Sequence, residues 1–221
     1  FNLFYIMKIT KCTCCNSEEL ELILDLGNQP WCNNFLTKEE IGTEEYYPLQ
    51  LMACKKCHFL QLSYFVPKEK MFSKHDYVSG TTKSLKNHFK EVAEHVSEMY
   101  KISKDAFIID IGGNDGTCLE CYREIGYYDL CNIEAATNIA KLSEAKSIFT
   151  INDFFNKQLV DDCYMELSNA KIINASGVFF HLEEIHSALE GINKILDDDG
   201  VFVVQFMYVL DMIKNKTFDM I

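Results

Sequence analysis

The sequence predicts an α/β fold in which a Rossmann-type parallel sheet follows a small four-cysteine domain. From residue 107 onward, short apolar runs alternate with segments of helical periodicity, as in βαβ units. Before residue 79, two C-x-x-C pairs stand in the segment that also holds all three prolines and the only tryptophan. We therefore predict a metal-binding N-terminal domain over residues 7–78 and a ligand-binding α/β domain over residues 79–221.

The composition argues against two classes of partner. The chain has 221 residues and a formal net charge of −12, whereas nucleic-acid binders normally present a basic face. No apolar run approaches the roughly 18 residues that a membrane helix needs, so we expect no membrane partner. Ten cysteines without a secretion signal indicate reduced thiols and a cytoplasmic protein. Met7 is a candidate natural start, with the six residues before it translated from upstream or left by truncation, and we do not interpret those six residues as a signal peptide.

The chemistry of the first domain lies in its cysteines. Cys12 and Cys15 form one C-x-x-C pair, and Cys54 and Cys57 form another. Two such pairs place four thiolates around one tetrahedral ion, for which zinc is the default, and a site filled by protein ligands is structural. Ordinary buried thiols are one alternative. Haem attachment is another, because His58 completes a C-x-x-C-H pattern, but it requires export and leaves the first pair unused.

A helix is predicted to join the two domains. Residues 79–82 read as its start, and apolar residues follow at alternating steps of four and three. This spacing predicts one apolar face that packs against the core. The residues of this face are Leu85, Phe89, Val92, Val96 and Met99.

Beyond this helix, the predicted elements alternate between strand and helix. The predicted strands cover residues 107–111, 130–133, 147–151, 171–174 and 201–207. The predicted helices cover residues 117–125, 135–145, 159–167 and 182–196, with a turn over 197–200. Strands separated by helices of this length form a parallel sheet with right-handed crossovers.

A glycine-rich loop follows the first of these strands. It reads Asp110-Ile111-Gly112-Gly113-Asn114-Asp115-Gly116, and we assign Asp110, Gly112, Asn114 and Gly116 to cofactor binding. Glycines let the backbone turn sharply and approach a ligand closely. The spacing is D-x-G-x-x-x-G and not the dinucleotide G-x-G-x-x-G, which favours a nucleoside ligand without a pyrophosphate.

Acidic residues end the next two strands. Glu134 lies 18 residues beyond Gly116, where it is placed to accept hydrogen bonds from two ribose hydroxyls. Asp153 is placed to contact an adenine amine, and Phe154 to stack on the ring. Together these features predict an S-adenosylmethionine (SAM) site, with an NAD-binding protein as the rival. The alternatives are a turn cluster of glycines, a solvated Glu134 and a helix-capping Asp153.

These blocks resemble one family, the SAM-dependent C-methyltransferases that act on TDP-linked 4-keto deoxysugars. The resemblance runs through essentially the whole chain and implies a class I SAM-methyltransferase fold. Besides the cysteine pairs and the glycine loop, it rests on Leu26-Gly27-Asn28-Gln29-Pro30, Pro48-Leu49, Gln61-Leu62, the segment from Phe72 to Ser79 with one residue more than the family has, and Gly177-Val178-Phe179-Phe180-His181.

The sequence departs from the family pattern at four positions. His58 stands where the family usually has glycine, and Gly113 replaces a serine. Ala135 stands where the family usually has proline, and Gly177 replaces an asparagine. None of these changes removes a side chain that the cofactor clearly needs.

The resemblance also implies a reaction and its residues. A base removes the proton from the carbon beside the keto group, and the resulting enolate carbon attacks the methyl group of SAM. His181 and Tyr77 would border the sugar, the first as base or oxygen stabiliser and the second as hydrogen-bond donor or base assistant. The structural alternative for His181 is a residue in the opening turn of a helix, and that for Tyr77 is a packed aromatic side chain. A SAM enzyme with another acceptor, or a zinc- and nucleoside-binding module without activity, are the alternative functions.

The end of the chain carries a further expectation from the resemblance. Family members continue with a Tyr-His-Glu-His segment and a sugar-nucleotide-binding domain, and residues 218–221 look like the run-up to that segment. On this interpretation the SAM-binding domain is incomplete at its C-terminus, and the chief proton-transfer residues of the family lie in the segment that follows. These 221 residues are then expected to bind SAM but to transfer its methyl group very slowly or not at all.

Overall fold

The computed structural model describes residues 8–217. They form two compact units, one of residues 8–71 with 208–217 and the other of residues 72–207. Residues 72–78 therefore lie in the second unit and residues 208–217 in the first, although the sequence places each with the opposite domain. The predictions for Met7 and for residues 218–221 lie outside the described residues.

Eight strands and eight α-helices make up the described chain, with single 3-10 turns at Ser79–Thr81 and Phe179–His181. The strands are β1 (Leu20–Pro30), β2 (Tyr46–Cys54), β3 (Leu60–Leu62), β4 (Ile108–Ile111), β5 (Leu130–Ile133), β6 (Phe149–Ile151), β7 (Ala170–Ser176) and β8 (Leu196–Gln205). The helices are α1 (Lys68–Phe72), α2 (Lys83–Met99), α3 (Thr117–Glu124), α4 (Thr137–Ala145), α5 (Lys157–Asp162), α6 (Tyr164–Leu167), α7 (Ile185–Ile195) and α8 (Val209–Asn215). Among residues 8–217, no helix combines the length and the apolar character needed to cross a membrane.

The first unit contains an antiparallel sheet in the order β1-β2-β3. Leu20 at the start of β1 pairs with Cys54 at the end of β2. The first cysteine pair lies just before β1, and the second lies in the turn that ends β2. Strand pairing therefore brings together two motifs that are far apart in the sequence.

The second unit contains the predicted parallel sheet, in the order β6-β5-β4-β7-β8. From β4 the chain moves outward to β5 and β6, and then crosses back to β7 and β8. The strand order reverses between β4 and β7, and open α/β sheets bind ligands at the carboxyl ends of the strands beside such a point.

Alternate residues of the central strands pack into two apolar clusters, one on each face of the sheet. On β4, Ile109 belongs to the cluster that includes α5 and α7, and Ile108 belongs to the cluster that includes α2 and α3. Asp110, Asn132 and Asn174 occupy neighbouring positions in the register of β4, β5 and β7. By alternation they share the α2 and α3 face, so a row of polar residues crosses an otherwise apolar interior.

Three of the predicted features differ from the structure in kind. Met99 is 57% exposed, because α2 ends there and its last turn extends past the core, so it does not belong to the buried face. The predicted helix over residues 159–167 is two short helices, α5 and α6, separated at Cys163. The predicted turn over residues 197–200 is an irregular part of β8, where four residues oppose a single residue of β7.

Candidate functional site

The two cysteine pairs converge on one point of the first unit. The Sγ atoms of Cys12, Cys15, Cys54 and Cys57 all lie within 4.8 Å of one another. The Cys12–Cys57 and Cys15–Cys54 sulfur pairs are each 3.6 Å apart, close to the about 3.8 Å edge of a tetrahedron with zinc–sulfur bonds of 2.3 Å. Backbone N–H groups of Cys57 and Lys56 lower the pKa of Cys54, whereas burial and the neighbouring thiols outweigh the backbone N–H of Phe59 and raise the pKa of Cys57. A bound metal needs all four sulfurs as thiolates.

The two C-x-x-C turns have the same backbone geometry. The N–H of Asn16 donates to the carbonyl of Cys12 (2.8 Å), and the N–H of His58 donates to the carbonyl of Cys54 (2.9 Å). Asn16 and His58 both have positive φ, 60° and 62°. This left-handed conformation is one that glycine adopts without strain, so Asn16 and His58 occupy positions that would suit glycine.

A buried glutamine supports the first of these turns, although the sequence pattern gave it no role at the metal. Gln61 on β3 is 6% exposed, and its Oε1 accepts a hydrogen bond from the backbone N–H of Thr13 (2.9 Å). Its Nε2 donates to the carbonyl of Lys11 (3.2 Å). The side chain therefore holds the backbone on either side of Cys12, as outer-shell residues do around metal ligands.

In the second unit, the glycine loop follows β4 and lies against the loop that follows β7. Gly112 and Gly116 have φ of 62° and 76°, which favours glycine at both positions. A Cβ atom at Gly112 would lie 2.4 Å from Cγ2 of Val178. The close approach of these two loops fixes the rim of the sheet at the point where the strand order reverses.

Glu134 fastens this loop to the end of β5. Its Oε2 accepts the backbone N–H of Asn114 (2.9 Å), and its Oε1 accepts the backbone N–H of Ala136 (2.8 Å). The residue is 8% exposed, and burial raises its pKa. Each carboxylate oxygen can accept a second hydrogen bond, so ribose hydroxyls could still be bound there.

The side chain of Asn114 joins the same loop to the segment before α2. Its Oδ1 accepts the backbone N–H of Ser79 (2.8 Å), and its Nδ2 donates to the carbonyl of Tyr77 (3.1 Å). Asn114 therefore positions the chain around Tyr77, which is a role that the sequence pattern did not indicate.

Asp110 lies beneath the loop and is only 2% exposed. Among the described residues, its Oδ1, the Oδ1 of Asn132 and the Nδ2 of Asn174 have no hydrogen-bond partner. A Cβ atom at Gly113 would lie 2.4 Å from the Oδ1 of Asn132 and 2.7 Å from the Oδ2 of Asp110. Asp110 thus supports the loop from inside the protein, and direct contact with a cofactor would require the loop to move.

At the end of β6, the three polar or aromatic residues differ in their surroundings. Asp153 is exposed, and its Oδ1 accepts the backbone N–H of Phe154, which is half-buried. Asn152, which sequence reasoning missed, donates from Nδ2 to the carbonyls of Glu134 (2.7 Å) and Ala135 (3.0 Å). Asn152 therefore holds the ends of β5 and β6 together, while Asp153 remains open to a ligand.

His181 and Tyr77 belong to one row of aromatic rings in the second unit. The ring of Phe72 lies 5.3 Å from that of His181 and 6.2 Å from that of His75, and His75 lies 6.2 Å from Tyr77. His181 is exposed, but the surrounding protein desolvates its ring and lowers its pKa, with a smaller contribution from the charge of His75. Sequence reasoning missed Phe72 and His75 as members of this row.

Comparisons with known proteins agree with this architecture. Residues 12–72 match the family Methyltransf_13, described as "Putative zinc binding domain". The chain is 24% identical to the C-methyltransferase NovU of Streptomyces niveus over 217 residues, which are 98% of this chain and 51% of the relative. The chain thus spans about half the length of this curated relative.

A solved structure gives the fold. The crystal structure of the plantazolicin methyltransferase BpumL, in complex with a pentazolic desmethylPZN analog and SAH, is similar with a TM-score of 0.50. The sequence identity is 14%, and the similarity covers 62% of this chain and 52% of that one. Together with the parallel sheet, it confirms the predicted class I SAM-methyltransferase fold.

The buried carboxyl of Asp110 leads to a prediction about pH. Burial, more than the charge of Glu134, raises its pKa to about 7 from 3.8, although a hydrogen bond from Cys118 opposes the rise. The folded protein then binds this proton more tightly than the unfolded chain does. The contribution of Asp110 to stability should be highest below the unfolded pKa of 3.8 and should be lost as the pH rises to about 7.

Asp110→Asn should remove this part of the pH dependence. As the pH rises from 4 to 7.5, the free energy of unfolding of the variant should increase by roughly 2–4 kcal/mol relative to that of the unsubstituted protein. Urea unfolding followed by circular dichroism at several pH values measures the difference. Asp198→Asn, at an exposed position, is the control, and parallel curves for the unsubstituted protein and Asp110→Asn would contradict the prediction.

Proposed function

We propose that this chain, which is similar to a C-methyltransferase and matches a zinc-binding family over residues 12–72, forms the zinc-binding and SAM-binding portion of an enzyme that methylates a carbon of a nucleotide-linked 4-keto deoxysugar. The single observation that carries the proposal is the hydrogen bond between Glu134 and the backbone N–H of Asn114. This hydrogen bond joins Glu134, the residue predicted to bind ribose, to the glycine loop at the carboxyl ends of neighbouring strands. A nucleoside without a pyrophosphate fits this arrangement.

Each residue of the proposed SAM site would contact a different part of the SAM molecule. Glu134 binds the ribose hydroxyls, Asp153 the adenine amine, and Phe154 stacks on the adenine ring. The glycine loop, with Gly112 and Gly116, allows the remaining part of the ligand to pass close to the backbone. The residue set suits SAM better than NAD, because the loop lacks the dinucleotide spacing.

SAM supplies a methyl group on a positively charged sulfur. The chain's own contribution is to hold the acceptor carbon in line with that methyl group and to take a proton from the carbon. His181 follows β7, on the other side of the switch point from the glycine loop. Its lowered pKa keeps the imidazole neutral, as a base must be, and Tyr77 supplies a phenol at the other end of the aromatic row.

Methylation of another small-molecule acceptor is the second candidate function. Phe180 lies 4.4 Å from His181, and Phe206 lies 5.5 Å from Phe180 and is 51% exposed, measured between ring centroids. These rings would suit an acceptor with an apolar face. The BpumL structure is an example of this fold in complex with a desmethylPZN analog and SAH.

The metal prediction concerns the first unit. The protein should hold about one zinc ion per chain, because four thiolates complete a closed tetrahedral site. Cys54→Ser should lose the ion and lower the melting temperature, since binding energy at such sites is folding energy. Elemental analysis and calorimetry measure both effects, with Cys32→Ser at an exposed cysteine as the control. Freshly purified protein without zinc, or with covalently bound haem, would rule out the zinc site.

The cofactor prediction concerns Glu134. SAM or its demethylated product SAH should bind, and NAD should not. Glu134→Gln keeps the shape of the side chain but replaces one acceptor oxygen, so SAH binding should weaken by about 1–3 kcal/mol, or roughly 5- to 150-fold. Titration calorimetry measures the affinities, and Glu144→Gln on the exposed side of α4 is the control. Binding of NAD without a response to SAH would overturn the assignment.

The activity prediction is tested in the protein that the complete reading frame encodes. With SAM and a TDP-linked 4-keto deoxysugar, it should form SAH and a sugar that is heavier by one methylene unit. His181→Asn should lower the rate by about 100- to 10,000-fold if His181 is the base, with little change in SAH affinity. His95→Asn on the exposed side of α2 is the control. SAH formation that needs a different acceptor would favour the second candidate.

A further inference from the structure

His75 lies in the segment from Phe72 to Ser79, which resembles the family pattern with one residue more. Its side chain has one nitrogen committed within the protein. The Nδ1 atom lies 3.1 Å from the backbone nitrogen of Tyr77, whose N–H donates to it. An acceptor nitrogen carries no proton, so the neutral ring must carry its proton on Nε2. The local fold therefore makes His75 a hydrogen-bond donor through Nε2.

The backbone of His75 is held at both its polar groups by one side chain. The N–H of His75 donates to Oδ1 of Asn138 (3.1 Å), and Nδ2 of Asn138 donates to the carbonyl of His75 (2.5 Å). Asn138 lies in the first turn of α4, four residues after Glu134. The N–H of Thr137 also donates to the carbonyl of Ser73 (3.2 Å). This segment is therefore anchored beside the cofactor site, which fixes the position of the ring.

The ring of His75 lies between the proposed cofactor and acceptor groups. It stacks near Phe72 at 6.2 Å between centroids, and Phe72 in turn lies 5.3 Å from His181. Burial is the main influence on both neighbours, raising the pKa of Glu134 and lowering that of His181, and a proton on His75 would lower the pKa of each. His75 is thus close enough to interact electrostatically with both residues.

We infer that His75 is a further catalytic residue, which donates a hydrogen bond from Nε2 to the oxygen of the acceptor that becomes negative during the reaction. The inference rests on the proposed function, because an acceptor with a carbonyl next to the methylated carbon is the one that develops such a charge. A fixed donor at that oxygen stabilises the transition state more than the ground state.

The hydrogen bond from His75 transfers no proton, so it does not change the atoms and electrons exchanged in the methyl transfer. The base takes the proton from the acceptor carbon, and the electron pair of that bond delocalises onto the carbonyl oxygen, where His75 donates. As the new carbon–carbon bond forms, the methyl–sulfur bond breaks and its electrons remain on sulfur, so SAH results. The carbonyl re-forms, and His75 retains its proton throughout. His181 and His75 therefore have separate tasks, removal of a proton and stabilisation of charge.

The kinetic test uses His75→Leu and His75→Gln in the protein from the complete reading frame, with SAM and a TDP-linked 4-keto deoxysugar. His75→Leu should lower kcat by about 100- to 1,000-fold, as loss of one donor to a developing oxyanion does. His75→Gln, whose amide N–H groups can reach a similar position, should recover a large part of that loss. SAH affinity and melting temperature should stay close to those of the unsubstituted protein, with His95→Gln as the matched control.

A second measurement reads the ring directly and needs no acceptor. Nitrogen-15 NMR of protein labelled at histidine, with His75→Gln used to assign the signal, should show the proton on Nε2. A proton on Nδ1 would overturn the inference whatever the activity. Unchanged kcat in His75→Leu would also overturn it, as would a matched loss of SAH affinity and melting temperature that glutamine does not rescue. If the unsubstituted protein binds SAH but never methylates the sugar, the proposed function fails and this inference fails with it.

Discussion

The carboxylate of Glu134 is the contact on which the second unit's candidate site depends. One oxygen holds the glycine loop through Asn114, and the other holds the start of α4 through Ala136. Because the residue is buried, these two N–H groups offset part of the desolvation of the charge. The same carboxylate that would bind ribose thus organises the loop and the helix around it. Ligand binding then needs little rearrangement, since the carboxylate is already oriented.

The first unit is organised by a different constraint, the pairing of β1 with β2. Leu20 opposite Cys54 sets the register, so that the turn before β1 and the turn after β2 face one another. Both turns then repeat the same hydrogen bonds, which aims four sulfur atoms at one point. The third strand, β3, also contributes, because Gln61 hydrogen-bonds the backbone on either side of Cys12 in the first C-x-x-C turn. A small sheet with few buried residues can hold this geometry because an ion would add binding energy to its folding.

The sequence predicted those parts of the structure that depend on local spacing. The C-x-x-C pairs, the alternation of strands and helices, and the positions of the glycine loop and Glu134 at strand ends are all periodic or adjacent features. The antiparallel sheet was not predicted, because β1 is mostly exposed and two register shifts interrupt its alternation. The roles of Asn152 and His75 were not predicted either, because each depends on a partner that only tertiary structure supplies. In the sequence, His75 two residues before Tyr77 and Asn152 at the end of a strand form no recognisable motif.

The buried side chains beneath the glycine loop leave no room for a side chain at Gly113. A serine there would place its Cβ 2.4 Å from the Oδ1 of Asn132, closer than non-bonded atoms can approach. Asn132 cannot move aside freely, because its Nδ2 donates to the carbonyl of Asn114 (2.9 Å) within the same loop. The buried asparagine on the neighbouring strand therefore disfavours any side chain at Gly113. In this chain the loop is supported from below by Asn132 and from the side by Glu134, and both contacts converge on the backbone of Asn114.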